Sequence, residues 1–366
     1  MSLQKSTLAL FLIISLAFVT TTYARPQWTV DQANAWQKQQ GWMLGCNFIP
    51  STAVNTLEMW QNETFDPVTI DRELGYARNL GFNIARVFLH YLVWQQDPQA
   101  FKQRLDKFLQ IASSHQIRVM FVLFDDCWNP EGHLGPQPAP IPGVHNSQWV
   151  QVPGEAEYTN VTLFPVFMNY VTDIISTFAN DTRVVIWDIY NEPGNSNHVN
   201  KTLPLLTLVF QWARAANPSQ PITSGVWNYS PSFSLLNTLQ LNSSDIISFH
   251  SYEEVSVTKG RIDSLRSYGR PILCSEYMAR PLNSTFPTHV PMFYQQNVSA
   301  INWGLVSGKT QTIYPWGSKP YSPPPAVWFH DILYPNGTAF SDSEMQFLQN
   351  FTKGITQGDD FIYLDE

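Results

Sequence analysis

Residues 183–197 read RVVIWDIYNEPGNSN. Val184, Val185, Ile186 and Trp187 form an unbroken apolar run, the mark of a strand covered on both faces in a parallel sheet. The run then meets Asn191-Glu192-Pro193-Gly194, which sets a carboxylate where the chain must turn. A Glu in that place is either a solvated turn residue or a group aimed into a pocket, and the rest of the chain decides between the two.

Similar runs recur. They fall at 42–48 (WMLGCNF), 83–89 (NIARVFL), 118–124 (RVMFVLF), 184–191 (VVIWDIYN), 221–226 (PITSGV), 245–252 (DIISFHSY), 271–277 (PILCSEY) and 299–306 (SAINWGLV). Amphipathic stretches of helical period lie between most of them. One is expected over 69–80, ending at Gly81. Another is expected over 98–114, with Phe101, Leu105, Phe108, Leu109 and Ala112 on one stripe, and a closing helix near 343–353. Strands alternating with helices imply βαβ units. Eight of them predict an α/β fold, a single (β/α)8 TIM barrel, over residues 25–366. A doubly wound open sheet would open on a Gly-rich first turn, and CNFIPSTAV is not one.

Composition narrows the function classes. The chain has a net charge of −8 and no cluster of Lys and Arg, which argues against a nucleic-acid partner. Lys5, the apolar run 8–19 and the small residues before Arg25 predict a signal peptide, residues 1–24, cleaved after Ala24. A secreted, extracellular protein is expected, with no membrane association after cleavage. Ten Asn-x-Ser/Thr sequons, at Asn62, Asn160, Asn180, Asn200, Asn228, Asn242, Asn283, Asn297, Asn336 and Asn350, make N-glycans part of that expectation, with Asn228 and Asn297 near strands. Cys46, Cys127 and Cys274 are too few for a disulfide scaffold; buried thiols, with room for one bridge, are expected. Their spacing offers no zinc motif, so no metal or organic cofactor is implied. A monomer is expected.

Polar residues gather where the runs end. The second run carries Arg86 and leads into His90 and Tyr91, the third ends in Asp125-Asp126, the fourth in Asn191-Glu192, the sixth in His250 and Tyr252, the seventh in Glu276, and the eighth bears Trp303. In a barrel all these ends converge on one mouth, the face where barrel enzymes build their sites. Between the third run and the next helix lies a long Pro-rich connection, 125–158, with Trp128, His133, His145 and Trp149, which is expected to wall a cleft. Two carboxylates facing one another across such a mouth suit the cleavage of a glycosidic bond. Pro193 cannot continue a ladder, so alternation should fail there and let Asn191 and Glu192 both reach the site.

WDIYNEP and ILCSEY, on the fourth and seventh strands, resemble the motifs of the clan A glycoside hydrolases, and within that clan the family 5 cellulases and mannanases. NIARVFLHY, FHSY and the Trp303 strand extend the resemblance over about 42–353. It implies a retaining β-glycosidase acting on a β-linked polysaccharide or oligosaccharide (mannan, cellulose or another β-glucan, or xylan). Glu192 would be the acid/base and Glu276 the nucleophile. Asn191 would contact the sugar's 2-hydroxyl, Arg86 and Tyr252 would hold Glu276 ionised, and His250 would stand beside the acid/base. Trp303 would floor the cleaved subsite, with Trp316 the alternative. Trp128 would belong to the cleft wall. Many family members have His at the end of the third strand, where this chain has Cys127; Asp125 or Asp126 would then take a hydroxyl contact. Two other readings follow from the same residues: a sugar-binding barrel with weak catalysis, and a metal-dependent barrel hydrolase using His90, Asp125 and His250.

Overall fold

The computed structural model describes residues 24–357. Lys5 and the apolar run of the expected signal peptide lie outside the described residues. Eight short strands alternate with helices: β1 (Leu44–Asn47), β2 (Ile84–Phe88), β3 (Arg118–Val122), β4 (Val184–Asp188), β5 (Ile222–Thr223), β6 (Ile247–His250), β7 (Ile272–Glu276) and β8 (Ser299–Asn302). They pair in parallel in the order β5-β4-β3-β2-β1-β8-β7-β6. A further parallel bridge, Val226 to Phe249, joins the two ends and closes the ring. The fold is a single (β/α)8 TIM barrel. No helix among the described residues is long and apolar enough to cross a membrane.

Several helices open on a side-chain cap. In α3 (Pro67–Asn79) the Asp66 side chain accepts from Thr69 N, and in α5 (Pro98–Ser114) Asp97 accepts from Ala100 N. Each is followed by Pro at the first helical position, whose missing N–H is one the helix could not have used. The expected stripe of α5 is buried against the sheet, joined by Ile111. α1 (Val30–Gln40), opened by a Thr29/Gln32 capping box, seats Ala33 and Trp36 beneath the barrel floor.

Inside the ring, residues two apart share a face. Ile84, Met120, Ile186, Leu273 and Ile301 make an apolar lower layer. One step up, Arg86, Asp188, Asn47 and Ser275 form a buried polar layer. Above it Phe88 and Val122 return to apolar character beside Trp149. Strand β1 fits beside β2 only because Gly45 has no side chain: a Cβ there would stand 1.8 Å from Ile84 O. The observed strands are shorter than the apolar runs. β4 stops at Asp188 rather than Asn191 and β8 at Asn302, so Asn191, Glu192 and Trp303 sit on the loops just past the sheet. All three cysteines are free thiols, so the bridge allowed for does not exist.

Candidate active site

The stretch from Asn191 to Asn195 is built to break alternation. Asn191 still bonds as a strand residue, its N–H donating to Phe124 O at 2.7 Å. Glu192 then takes φ 42° and Gly194 φ 86°, both left-handed. For Glu this costs roughly 1–2 kcal/mol, and the surroundings hold it there. The buried Asp126 carboxylate accepts from Gly194 N at 2.7 Å, Tyr190 Oη at 2.7 Å and Thr202 Oγ1 at 2.6 Å. Asp126 is thus an anchor of the turn. The reversal at Glu192, beside Pro193, sends Asn191 and Glu192 toward the same mouth.

Glu276, the last residue of β7, meets Glu192 there. Ligand oxygens of the two carboxyls and Nδ1 of His250 all lie within 4.8 Å of one another. Arg86 Nη1 donates to Glu276 Oε1 at 2.7 Å and to Asn47 Oδ1 at 2.8 Å. Its other edge donates to Asp188 Oδ2 and, at 2.7 Å, to Asn191 Oδ1. Tyr252 Oη donates to Glu276 Oε2 at 2.7 Å. On the facing carboxyl, His250 Nδ1 lies 2.8 Å from Glu192 Oε1, while Oε2 receives Asn195 Nδ2 at 2.5 Å and Cys127 Sγ at 3.2 Å.

These environments push the two carboxyls apart in character. Burial raises the proton affinity of both. Glu276 is opposed by His250, by the Arg86 guanidinium and by the Tyr252 hydroxyl. His250 is itself pushed down to about 4 by burial and so is uncharged near neutrality, which leaves Arg86 as the cation that matters. Burial works against the charge of Arg86, but Asp188 and Glu276 outweigh it and hold the guanidinium above its ordinary value. Glu192 is opposed chiefly by the neutral donors Cys127 and Asn195, with Arg86 last. Glu192 is therefore the carboxyl suited to hold a proton, and Glu276 the one suited to stay ionised.

A cleft of about 890 Å³ opens over this pair. Trp303, half-buried, packs edge-on against Trp149 and Phe88 at the cleft floor. Trp316 is exposed and stands edge-on to Tyr252 at 4.8 Å. Trp128 is exposed beside the buried His145. Asp125 borders the cleft, but both its oxygens are engaged. Oδ1 accepts from Asn191 Nδ2 at 2.8 Å and Cys127 N at 3.0 Å, and Oδ2 accepts from Trp149 Nε1 at 2.7 Å. Burial raises it to about 7. Its evident work is to orient Asn191 and Trp149.

The trio Glu192, His250 and Glu276 has a spacing that a cation could bridge. Arg86 already stands 2.7 Å from Glu276, and a second positive charge beside it would be repelled. His90, named with Asp125 and His250 as a metal set, instead caps α4 (Tyr91–Gln96), its ring accepting from Leu92 N, and it does not border the cleft. Sequence reasoning missed Asn195, whose amide touches Glu192, and Asn47, which steadies Arg86. Only their nearness to Glu192 and to the end of β1 marked them.

The expected wall is present and has a second half. The loop after β3 is tied to the loop after β8. Asn146 N donates to Thr310 O, His145 Nδ1 lies 2.7 Å from Tyr314 O, and Tyr321 N donates to Pro142 O. Gln311 binds Ile141 O, Val144 O and Gly143 N. The segment after β1, with its short helix α2 (Thr56–Trp60), joins through Asn55 to Gln137 and Gln148, and through Glu58 to Lys309. Among the described residues, none from the loops after β1 or β2 borders the cleft.

Residues 45–305 match the family described as Cellulase (glycosyl hydrolase family 5). A curated relative, mannan endo-1,4-beta-mannosidase A of Hypocrea jecorina, is 22% identical over 166 residues, 42% of this chain. The match spans only 36% of that relative's length. The fold is shared with a GH5_18 protein of Streptomyces cattleya solved in complex with Manβ1-4GlcNAc, with TM-score 0.61, 11% identity, and coverage of 89% of this chain and 83% of that one. It is shared too with the exo-beta-1,4-mannosidase Op5Man5 of Opitutaceae bacterium strain TAV5, with TM-score 0.59, 15% identity, and coverage of 87% and 60%. The endo-1,4-beta-D-mannanase of Thermotoga petrophila gives TM-score 0.55 and 14% identity, with coverage of 86% and 99%.

Proposed function

We propose that this chain, which belongs to glycosyl hydrolase family 5, is a retaining β-mannoside hydrolase that works from a chain end. The observation that carries the reaction type is the close pairing of two unlike carboxyls, Glu192 among neutral donors and Glu276 against Arg86. One oxygen of each lies within 4.8 Å of the other. Inverting enzymes hold their carboxyls about 6.5–9.5 Å apart to admit a water, so the spacing favours direct attack.

In the first step Glu276 attacks the anomeric carbon while Glu192 gives its proton to the leaving oxygen. A covalent glycosyl-enzyme forms and the aglycone departs. Glu276 has then lost its charge, the proton affinity of Glu192 falls, and Glu192 takes a proton from the water that displaces Glu276. Arg86 and Tyr252 keep Glu276 ionised between turnovers. Asn191, held by Arg86 and Asp125, is oriented for the 2-hydroxyl. Trp303 supplies an apolar surface under the ring.

The end-directed mode rests on the wall. With the β1–β2 sector closed by knitted loops, the sugar being cleaved sits in a blind end near Trp149 and Trp303. The aglycone leads out past Glu192 toward Trp227 and Tyr229. Mannoside preference is supported by the names of the relatives, of which two are mannanases and one an exo-mannosidase. Secretion and N-glycosylation are part of the same reading, on sequons of which all but the half-buried Asn228 are exposed.

The test is hydrolysis of Manβ1-4GlcNAc, mannohexaose and cellohexaose by purified enzyme. Stepwise release of mannose, first appearing as the β-anomer by NMR, is expected. Internal cuts would refute the end-directed mode, the α-anomer the retaining course, and preference for cellohexaose the substrate class.

A further inference from the structure

The mechanism above gives no role to the one thiol that borders the cleft. Cys127 stands just past β3, 8% exposed, with Sγ 3.2 Å from Glu192 Oε2. The other thiols, Cys46 and Cys274, are fully buried and away from the cleft. Cys127 Sγ receives two amides, Asn191 Nδ2 and Asn195 Nδ2, each at 3.4 Å. With donors pointing at the sulfur from both asparagines, the S–H hydrogen is left for the Glu192 oxygen. The backbone N–H of Cys127 is tied to Asp125 Oδ1 at 3.0 Å, so the thiol is held in place from its own end.

We propose that Cys127 is a positioning residue whose thiol fixes the side chain of Glu192 and sets how readily it gives up and regains its proton. This rests on the reading of Glu192 as the acid/base. The groups that face Glu192 are few. Asp125 and Cys127 come from the end of β3, Asn195 from its own loop, His250 and Tyr252 from the end of β6, Glu276 from β7 and Arg86 from β2. Arg86 is spent on Glu276, Asp188 and Asn191. The direct contacts of Glu192 are thus an amide, an imidazole uncharged near neutrality, and a thiol.

That set suits a group that must be an acid in one step and a base in the next. A cation in the place of Cys127 would trap the carboxylate, because charge-assisted bonds favour the ionised form strongly. An apolar residue would leave Oε2 with a single donor in a buried site and favour the protonated form. A thiol is a weak, neutral donor and lies between these extremes. It also accepts the two amides that orient Asn191 and Asn195, so one side chain aligns the acid/base and the proposed 2-hydroxyl ligand together.

The experiment measures kcat/KM against pH for wild type, Cys127→Ala and Cys127→Val, with Glu192→Gln as the control. Loss of the donor is expected to move the basic limb upward by about half a pH unit, the equivalent of one weak neutral hydrogen bond. Val refills the thiol's volume, so a shift shared by both variants cannot come from packing; should the Ala variant fail to fold, Val gives the same reading. A basic limb that stays in place in the folded variants overturns the proposal. Full activity in Glu192→Gln would instead overturn the assignment of the acid/base on which it rests, so the two failures are distinct.

Discussion

Arg86 Nη1 donates to Glu276 Oε1 at 2.7 Å from a position with no solvent exposure. The same guanidinium holds Asp188, Asn47 and Asn191, so one buried cation connects the polar layer of the barrel to its mouth. Arg86→Lys keeps the charge but loses the planar fork, and at a multidentate site that exchange is not conservative. We expect activity to fall at least about 100-fold, from lost alignment of both Glu276 and Asn191. Arg86→Met should also destabilise the fold by about 3–5 kcal/mol, because Asp188 is left buried and unpaired. Denaturant melts and initial rates measure the two effects separately.

Glu192→Gln and Glu276→Gln should fail differently. Loss of a general acid lowers turnover by about 10²–10⁴-fold. In Glu192→Gln an activated aryl glycoside, whose leaving group needs no proton, should still form the covalent intermediate and show a burst. Added azide should then restore turnover and yield a β-glycosyl azide. Glu276→Gln should show neither burst nor β-azide product. Identical behaviour of the two variants would sink the division of roles.

The pH profile follows from the environments of the two carboxyls. Burial raises Glu192, and the enzyme needs it protonated, so activity should fall as pH rises through its pKa. Glu276 must be ionised, so activity should fall again as pH drops through its own. In any Arg86→Met protein that folds, the acid limb should move to higher pH, since the cation opposing protonation is gone. An acid limb that is unmoved would mean that Arg86 does not govern the charge on Glu276.

Much of this arrangement was readable in the chain. The apolar runs at 118–124 and 271–277 carry the buried strands β3 and β7, and the α5 stripe sits where its spacing put it. Glu192, Glu276, Arg86, His250 and Tyr252 converge because strand ends in a barrel must converge. What resisted reading is long-range. Asp125 gave no sign that both its oxygens were spent on Asn191, Trp149 and Cys127. Period and propensity describe neighbours along the chain, and Gln311 meets Ile141 and Gly143 across some 170 positions. The left-handed turn at Glu192 had a partial signal in Pro193, but its anchor, Asp126, is set by tertiary contacts with Gly194 and Thr202.

His90 offers a stability prediction. It is buried, its pKa is lowered to about 3 by that burial, and it caps α4. An unfolded His takes up its proton near 6.5, whereas the folded one stays neutral far below that. Below about 6.5 the unfolded chain therefore binds more protons, and the stability held above that pH is lost progressively toward 3. His90→Asn retains a capping side chain and does not titrate. Its melting temperature should fall less steeply than wild type between pH 6.5 and 4. Parallel curves would remove His90 from the account of acid sensitivity.

The wall is open to the same kind of test. Gln311 makes three bonds to the loop after β3, accepting from Gly143 N at 2.9 Å and donating to Ile141 O at 2.7 Å and Val144 O at 3.1 Å. It lies outside the group of residues that border the cleft. Gln311→Ala removes all three bonds at once and leaves Glu192 and Glu276 untouched. If the knitted loops are what make the cleft single-ended, loosening them should admit sugar units beyond the blind end. Mannobiose and longer fragments should then appear among the early products from mannohexaose, while the rate on Manβ1-4GlcNAc, too short to reach past the wall, stays within about threefold of wild type. Mannose alone from the variant would mean that the end-directed mode has another cause. A rate loss shared equally by both substrates would mean that the loop supports the catalytic residues and does not bound the cleft.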